Sequence, residues 1–386
     1  IHTFYHDYDD DSFGVHREEP LIPPDFNIET AVDICELVPG IGLVPWTNDP
    51  WDFDGFQFIE TKLKGDRLYG VDFNSTSEEG QFADEELIDL GPDATTLHVI
   101  WSDVETAPGV FDGPQVASLA LANQAFSERG LKVSLTLSAI ASGVLTVPED
   151  LRQGLATNTI PFTDPVVISR FLDFMIFVHS QIPDLDVMSI QIGYEIDKLM
   201  VDVTDPVFWL PYVNFHLAAR EGVKLLWGDG IPISSVWTTE GFLNPDFAPL
   251  RDLMTIVDDV VSLTYFPHHD DFTIFEPIEI PAQLQQVNEQ AFPNDVYFQA
   301  VGYPSAPITG SSTTKQSQFL YAFFEFWDQA MANVRFVSFG QLHDIPRAQA
   351  EVEADSPEFR QVGPANHDRL VGYLSSLGLR TYAGAG

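Results

Sequence analysis

Acidic, amide and aromatic side chains recur where the apolar segments of this sequence end. They are Asp72, Trp101, Asp103, Glu105, Tyr194, Glu195, Asp197, Trp237, Glu240, Tyr265, His268, Gln299, Tyr303, Gln341, His343 and Asp344. Flat aromatic rings stack on the apolar faces of sugar rings, while carboxylates and amides bind hydroxyl groups. If these side chains converge, they suit a cleft that binds a neutral polysaccharide.

Eight apolar segments with strand character precede these residues, and amphipathic segments separate them. The eight segments are 68–73, 96–101, 132–137, 187–192, 231–237, 260–265, 296–301 and 334–339. Uninterrupted, β-branched runs are typical of parallel strands that are covered on both faces. Eight strands that alternate with helices predict an α/β fold, the (β/α)8 TIM barrel. The carboxyl ends of its strands share one face, which would bring the polar and aromatic residues together.

The beginning of the chain has a different composition. Residues 1–65 are acidic at first and then rich in Pro and Trp, without the strand and helix alternation. We predict an irregular N-terminal extension packed on the barrel over 1–65, and a (β/α)8 catalytic domain over 66–386. The chain starts with Ile rather than Met, which fits removal of a signal peptide. We therefore expect a secreted or periplasmic protein of bacterial type.

The net charge limits the partners. Lys and Arg total 18 against 58 Asp and Glu, which gives a formal charge of −40 at pH 7. This charge repels phosphate backbones and anionic lipids, so we expect neither nucleic-acid nor membrane binding. No apolar run reaches the roughly 18 residues of a transmembrane helix. A marine or saline source is one interpretation of the acidity, and an ordinary acidic secreted protein is the other.

Other chemistries find little support in the sequence. It has neither a glycine-rich phosphate loop with Lys nor a Gly-x-Ser-x-Gly elbow. His268 and His269, beside Asp270 and Asp271, could contact a metal, but adjacent histidines seldom converge on one ion without a third partner. We predict no cofactor and no metal, and we expect a monomer that binds a poly- or oligosaccharide.

Five short segments resemble one group of enzymes, the clan A glycoside hydrolases. SIQIGYEID (189–197) resembles their strand-4 segment, VYFQAVGYPSA (296–306) their strand-7 segment, and VSLTYFP (261–267) their strand-6 segment. HVIWSDVETAPGVFD (98–112) and VSFGQLHDIP (337–346) are similar to strands 2 and 8. The five occur in the right order between about residues 66 and 350. The resemblance implies a TIM barrel with the activity of a retaining β-glycosidase.

The resemblance also implies roles for individual residues. Glu195 matches the acid/base, position 300 the nucleophile, and Tyr265 the tyrosine that contacts the nucleophile. The candidates for substrate contacts are Trp101, Tyr194, Trp237, Tyr303, His343 and Asp344. Tyr194 stands where these enzymes usually have the Asn that binds the sugar 2-hydroxyl, so that contact must be altered.

The second departure is more serious, because Ala300 stands where the nucleophilic Glu belongs. Gln299 is one position away, and strand alternation would turn it to the other face of the sheet. Three explanations remain open. They are an introduced Glu-to-Ala substitution, a natural glycan-binding pseudoenzyme, and a mechanism that uses another carboxylate such as Glu240 or Asp344.

The substrate prediction rests on the Gly-Tyr-Pro-Ser run at 302–305. It resembles strand 7 of families that cleave β-1,3-glucans and β-1,4-galactans internally. We predict an endo-β-1,3-glucanase that acts on laminarin-type glucan and is inactive with Ala at position 300. Mannan, galactan and β-1,4-glucan are the alternative substrates.

Overall fold

The computed structural model describes residues 34–38, 42–46, 66–72, 90–200, 206–329, 333–359 and 362–380. The chain divides into two compact units, residues 1–64 and 65–386. In the first unit, Ile34–Val38 pairs antiparallel with Gly42–Trp46. Most of the predicted N-terminal extension lies outside the described residues, so its packing on the barrel stays a prediction.

The second unit is a (β/α)8 TIM barrel, which confirms the fold predicted from the apolar segments. Its strands are β1 (Leu68–Val71), β2 (Ala94–Ile100), β3 (Lys132–Ala141), β4 (Asp186–Tyr194), β5 (Ile233–Ser234 and Val236–Thr238), β6 (Val261–Tyr265), β7 (Val296–Val301) and β8 (Val334–Phe339). All neighbours in the ring pair in parallel, and β8 pairs with β1. The two parts of β5 pair with β4 and β6 and close the ring.

Helices follow the strands along the chain. They are α1 (Val116–Glu128), α2 (Glu149–Ala156), α3 (Pro165–Gln181), α4 (Pro206–Trp227), α5 (Thr239–Leu243), α6 (Ala248–Val257), α7 (Ile280–Ala291), α8 (Thr313–Gln329), α9 (Arg347–Ala354) and α10 (Pro364–Leu374). The sequence sets the start of α3, where the Asp164 carboxylate accepts from Val166 N and Pro165 takes the first helical position. Among these described helices, none combines the length and apolar character that crossing a membrane requires.

The inside of the barrel contains a network of small polar side chains. Ser134 Oγ lies 2.8 Å from Ser189 Oγ, 3.0 Å from Gln191 Oε1 and 2.7 Å from Gln299 Oε1. Gln299 Nε2 donates to Ser262 Oγ at 3.3 Å, and all five residues are buried. Since buried polar groups are costly unless they are paired, these mutual hydrogen bonds allow strands β3, β4, β6 and β7 to meet at a polar interior.

A bulge interrupts the pairing of β6 with β7. Leu263 pairs with Phe298 and Thr264 pairs with Ala300, so Gln299 is an extra residue in β7. A bulge breaks the two-residue alternation of side chains. Gln299 and Ala300 consequently both line the cavity at the mouth of the barrel. The expectation that Gln299 turns to the other face was therefore wrong.

Candidate active site

A cavity of about 1030 Å³ is lined both by residues at the carboxyl ends of several strands and by residues of α1. Tyr194 and Glu195 reach it from the end of β4, Ala300 from β7 and His98 from β2. The structure thus brings together the three residues that the strand-4 and strand-7 motifs singled out. Binding sites of TIM barrels are built at this face of the fold.

Glu195 is only 3% exposed, and both oxygens of its carboxylate have donors. Oε1 accepts from Thr264 Oγ1 at 2.7 Å, while Oε2 accepts from Ser142 Oγ at 2.9 Å and lies 2.6 Å from Lys198 Nζ. Thr264 is also the residue that pairs with Ala300 across β6 and β7. One threonine therefore contacts Glu195 with its side chain and position 300 with its backbone strand, so the two positions are near neighbours.

The backbone around Glu195 is held in unusual conformations. Gly193 has a φ of +85°, and Glu195 itself has a φ of +47°. A Cβ on Gly193 would lie 2.5 Å from Tyr212 Oη, which donates to Ile192 O. Only glycine fits at 193, and a left-handed residue at 195 is the kind of local strain that packing must maintain. The turn after β4 therefore aims Glu195 at its three donors.

Opposing effects set the pKa of Glu195. Burial would raise it, but the Lys198 ammonium and the hydroxyls of Thr264 and Ser142 together outweigh burial and hold the pKa below its ordinary value. The acid/base role assigned to Glu195 would require the opposite, a raised pKa, because a general acid must hold its proton before it donates it. The pKa of Glu195 is lowered rather than raised because Lys198 stands beside it and Ala300 supplies no second carboxylate. In this chain Glu195 is an ionised carboxylate at neutral pH.

Replacing Lys198 with Met is expected to destabilise the protein at pH 7, and to destabilise it less at a pH below the folded-state pKa of Glu195. The lowered pKa of folded Glu195 contributes stability above the unfolded-state pKa, and this contribution disappears as the pH falls through the folded-state value. Because Lys198 is 38% exposed, we discount the pair for screening and expect a loss of about 1–2 kcal/mol. Urea unfolding of the parent and the variant at both pH values measures it.

Lys315→Met is the matched control, because Lys315 forms a surface ion pair with Glu276 away from the cavity. It should change stability by less than about 0.5 kcal/mol at pH 7. An equal loss for Lys198→Met at both pH values would show that the side chain acts by packing rather than by charge.

Tyr194 and His98 form an aromatic wall of the cavity. Their ring centroids are 4.8 Å apart with an interplanar angle of 32°. Burial lowers the pKa of His98 to about 4, with a partial opposing effect from Glu195, so the ring is neutral at pH 7. Its Nε2 lies 2.6 Å from Ser138 Oγ. The altered residue of the strand-4 motif thus presents a ring where the family usually has an amide.

The two tryptophans predicted as substrate contacts do not line the cavity. Trp101 is 0% exposed, donates from Nε1 to Glu105 Oε2 at 2.7 Å and packs on Phe171. Trp237 is also buried within the hydrophobic core. The ring of Trp101 faces the helix Pro165–Gln181, and neither tryptophan lines the cavity where a sugar would bind.

The two predicted tyrosines of strands 6 and 7 also point away. Tyr265 Oη donates to Gln283 Oε1 on α7 at 2.9 Å, and Tyr303 Oη donates to Phe275 O at 2.8 Å. Adjacent residues of a strand face opposite sides. Since Thr264 faces Glu195, Tyr265 must face the helices. Thr264 is the residue that the strand-6 motif should have indicated.

The two candidates after β8, Asp344 and His343, contact residues that follow α10. Asp344 Oδ1 accepts from Gly378 N at 2.9 Å, and burial raises its pKa to about 6. His343 forms an isolated bridge with Arg380. Neither residue lines the cavity, and neither does Glu240. Within the part of the chain that the structure describes, the carboxylates that line it are Asp72, Glu195 and Glu353.

Sequence reasoning missed several residues that surround Glu195. Ser142 and Thr264 supply hydroxyl donors, and His98 supplies part of the aromatic wall. A Ser or Thr at a strand end is not recognisable from the sequence as a site residue, because the sequence does not show which side of the sheet its hydroxyl faces. Lys198 lies three residues after Glu195, a spacing that allows an ion pair, and the structure shows that pair. Among the described residues, no three His, Cys, Asp or Glu side chains group as metal ligands do.

Comparisons with known proteins give a likeness of fold. No family model matches the chain, and no curated protein matches it. Among solved structures, a GH5_18 protein from Bifidobacterium longum is 16% identical with a TM-score of 0.58, covering 82% of this chain and 75% of that one. An exo-β-1,4-mannosidase from an Opitutaceae bacterium is 17% identical with a TM-score of 0.55, covering 82% of this chain.

A family 39 glycoside hydrolase from Bacteroides cellulosilyticus is also similar, at 15% identity and a TM-score of 0.53, over 83% of this chain and 61% of that one. The chain spans 56% of the length of the mannosidase. It therefore has the (β/α)8 fold of these glycoside hydrolases, as the five motifs predicted.

Proposed function

We propose that the cavity is the site of a retaining β-glycosidase and that residue 300 occupies the position of its nucleophile. The observation that carries this proposal is the contact of Thr264 with both positions. Its hydroxyl donates to Glu195, and its backbone pairs with Ala300 on the next strand. Retaining enzymes need two carboxyl groups only about 5–5.5 Å apart across the scissile bond.

A carboxylate at position 300 would attack the anomeric carbon, and Glu195 would protonate the oxygen of the departing sugar. Glu195 would then remove a proton from the water that hydrolyses the glycosyl-enzyme intermediate. Position 300 of this chain offers no group for the first step, because a methyl group cannot act as a nucleophile. We therefore propose that it binds its saccharide without turnover.

The substrate class follows from charge and from the motifs. A protein with a formal charge of −40 disfavours sulfated and uronate polymers, so we propose a neutral β-linked glycan. The Gly-Tyr-Pro-Ser run supports β-1,3-glucan. The names of similar structures, an exo-β-1,4-mannosidase and a GH5_18 variant from Streptomyces cattleya in complex with Manβ1-4GlcNAc, support β-mannosides as the alternative.

Calorimetric titration of the chain with laminarihexaose, mannohexaose, cellohexaose and a β-1,4-galactan tests the proposal. We expect one neutral saccharide to bind and polygalacturonate not to bind. Removal of the Tyr194 ring, in Tyr194→Ala, should weaken binding about ten-fold, because the ring lines the cavity.

Phe292→Ala is the control, because this ring is 74% exposed and does not line the cavity. It should leave the affinity unchanged. Failure of every neutral saccharide to bind at millimolar concentration would overturn the proposal.

Non-catalytic glycan binding is the second candidate function. The ion pair of Glu195 with Lys198 favours it, because a carboxylate held in the ionised state is not poised to donate a proton. Both candidates require saccharide binding, and they differ in what a carboxylate at position 300 should do.

A further inference from the structure

One wall of the cavity carries a buried hydroxyl that the proposed chemistry does not use. Tyr373, on α10, lines the cavity and is only 4% exposed. Its Oη has no hydrogen-bond partner among the described residues. Nearly all buried polar groups in native proteins are paired, so an unpaired one at a cavity wall calls for a ligand or an ordered water.

The hydroxyl of Tyr373 is a donor that stays protonated. Burial raises its pKa well above the ordinary value, and the negative charge of Glu195 raises it further. A phenol in this state offers one O–H to a nearby acceptor.

An acceptor lies beside this donor. The ring of His268 lines the same cavity and meets Tyr373 edge to face, with centroids 5.1 Å apart. His268 Nδ1 lies 2.8 Å from the carbonyl oxygen of His269, which can only accept, so Nδ1 carries the proton. Burial lowers the pKa of His268, so the ring is neutral and Nε2 offers a lone pair.

A third polar atom belongs to the same wall. Gln341 follows β8 with a φ of +60°, and its side chain lines the cavity. Its Oε1 is buried and has no partner among the described residues. One donor and two acceptors suit a group that both donates and accepts. A hydroxyl does both. A carboxylate or sulfate has only acceptor oxygens, which would be repelled by the lone pairs of His268 Nε2 and Gln341 Oε1.

We propose that Tyr373 and His268 bind one hydroxyl of a saccharide held in this cavity, with Tyr373 as the donor and His268 as the acceptor. The proposal rests on the proposed function, because it needs a saccharide in this cavity. It assigns to α10 a part in substrate selection, although the fold resemblance draws its site residues from strand ends. Tyr373 is thus a specificity-determining residue rather than a second catalytic group.

The test compares Tyr373→Phe with the parent chain by calorimetry, with the tightest-binding hexasaccharide of the panel above as the probe. We expect roughly ten-fold weaker binding, because one hydrogen bond is lost. The unfolding temperature should stay the same or rise, since the removed hydroxyl has no partner to lose. Mono-deoxy analogues of the probe should include one that weakens binding to the parent but not to the variant.

Tyr303→Phe is the matched control. Its hydroxyl bonds Phe275 O away from the cavity, so the variant should lose stability and keep its affinity. Affinity of Tyr373→Phe within about two-fold of the parent would overturn the inference and leave an ordered water as the only partner of the hydroxyl. A parent that binds no neutral saccharide would instead overturn the proposed function and this inference with it.

Discussion

Ala300→Glu is expected to give hydrolysis where the parent gives almost none, with a rate gain of about 10³-fold or more. The new carboxylate would stand on β7 beside Thr264, within reach of the cavity that also holds Glu195. A second negative charge disfavours the ionised form of Glu195, so its pKa should rise toward that of a proton donor. Release of reducing sugar from laminarin and β-mannan, with proton NMR of the first product, measures rate and stereochemistry.

Gln299→Glu is the control that tests the strand assignment. Gln299 also lines the cavity, but its amide bonds Ser134 and Ser262 in the barrel interior. A carboxylate there should destabilise the network and give no turnover. If Gln299→Glu hydrolysed glycans and Ala300→Glu did not, the nucleophile position would be 299. If neither did while binding persisted, non-catalytic glycan binding would be the function.

Glu195→Gln, made in the Ala300→Glu background, is expected to lose about 10²- to 10⁴-fold in the rate of cleavage of natural glycans. The amide keeps the shape of the side chain, and its one oxygen can still accept from either Thr264 or Ser142, which donate to different oxygens of Glu195. It can neither protonate the leaving oxygen nor accept a proton from water. Hydrolysis should also lose the acidic-to-neutral pH dependence that a titrating carboxyl imposes.

The nature of the leaving group separates this role from a structural one. An aryl glycoside with an acidic phenol needs no proton to depart, so formation of the glycosyl enzyme from it should be nearly normal in Glu195→Gln. A burst of phenol should follow, because water attack lacks its base. Equal losses on aryl and natural glycosides, together with a lower unfolding temperature, would assign Glu195 to structure only.

The fold could be predicted because its signal is repeated. Each barrel strand is an apolar run that is covered on both faces, and the eight runs recur with helices between them. The observed β6, Val261–Tyr265, differs from the predicted segment by one residue. The two-part β5 was harder to foresee, because Ser235 interrupts the pairing while its Oγ donates to Ile192 O.

The site was only partly predictable. A motif gives the position of a residue along a strand, but it does not show which side of the sheet the side chain faces. Tyr265 and Thr264 are neighbours, and only the structure shows that Thr264 faces Glu195. The bulge at Gln299 breaks the alternation that the prediction assumed. Tyr373 lies on a helix, where no strand-end argument could find it. Tryptophan at a strand end was taken for a sugar platform, but Trp101 fills the space between sheet and helix.

The bulge in β7 divides two tasks between adjacent residues. Gln299 ties the end of the strand to Ser134 and Ser262, and this attachment does not involve the side chain of residue 300. The barrel can therefore tolerate either a methyl group or a carboxylate at that point. If the proposed function holds, a single codon change at position 300 separates saccharide binding from hydrolysis on the same scaffold.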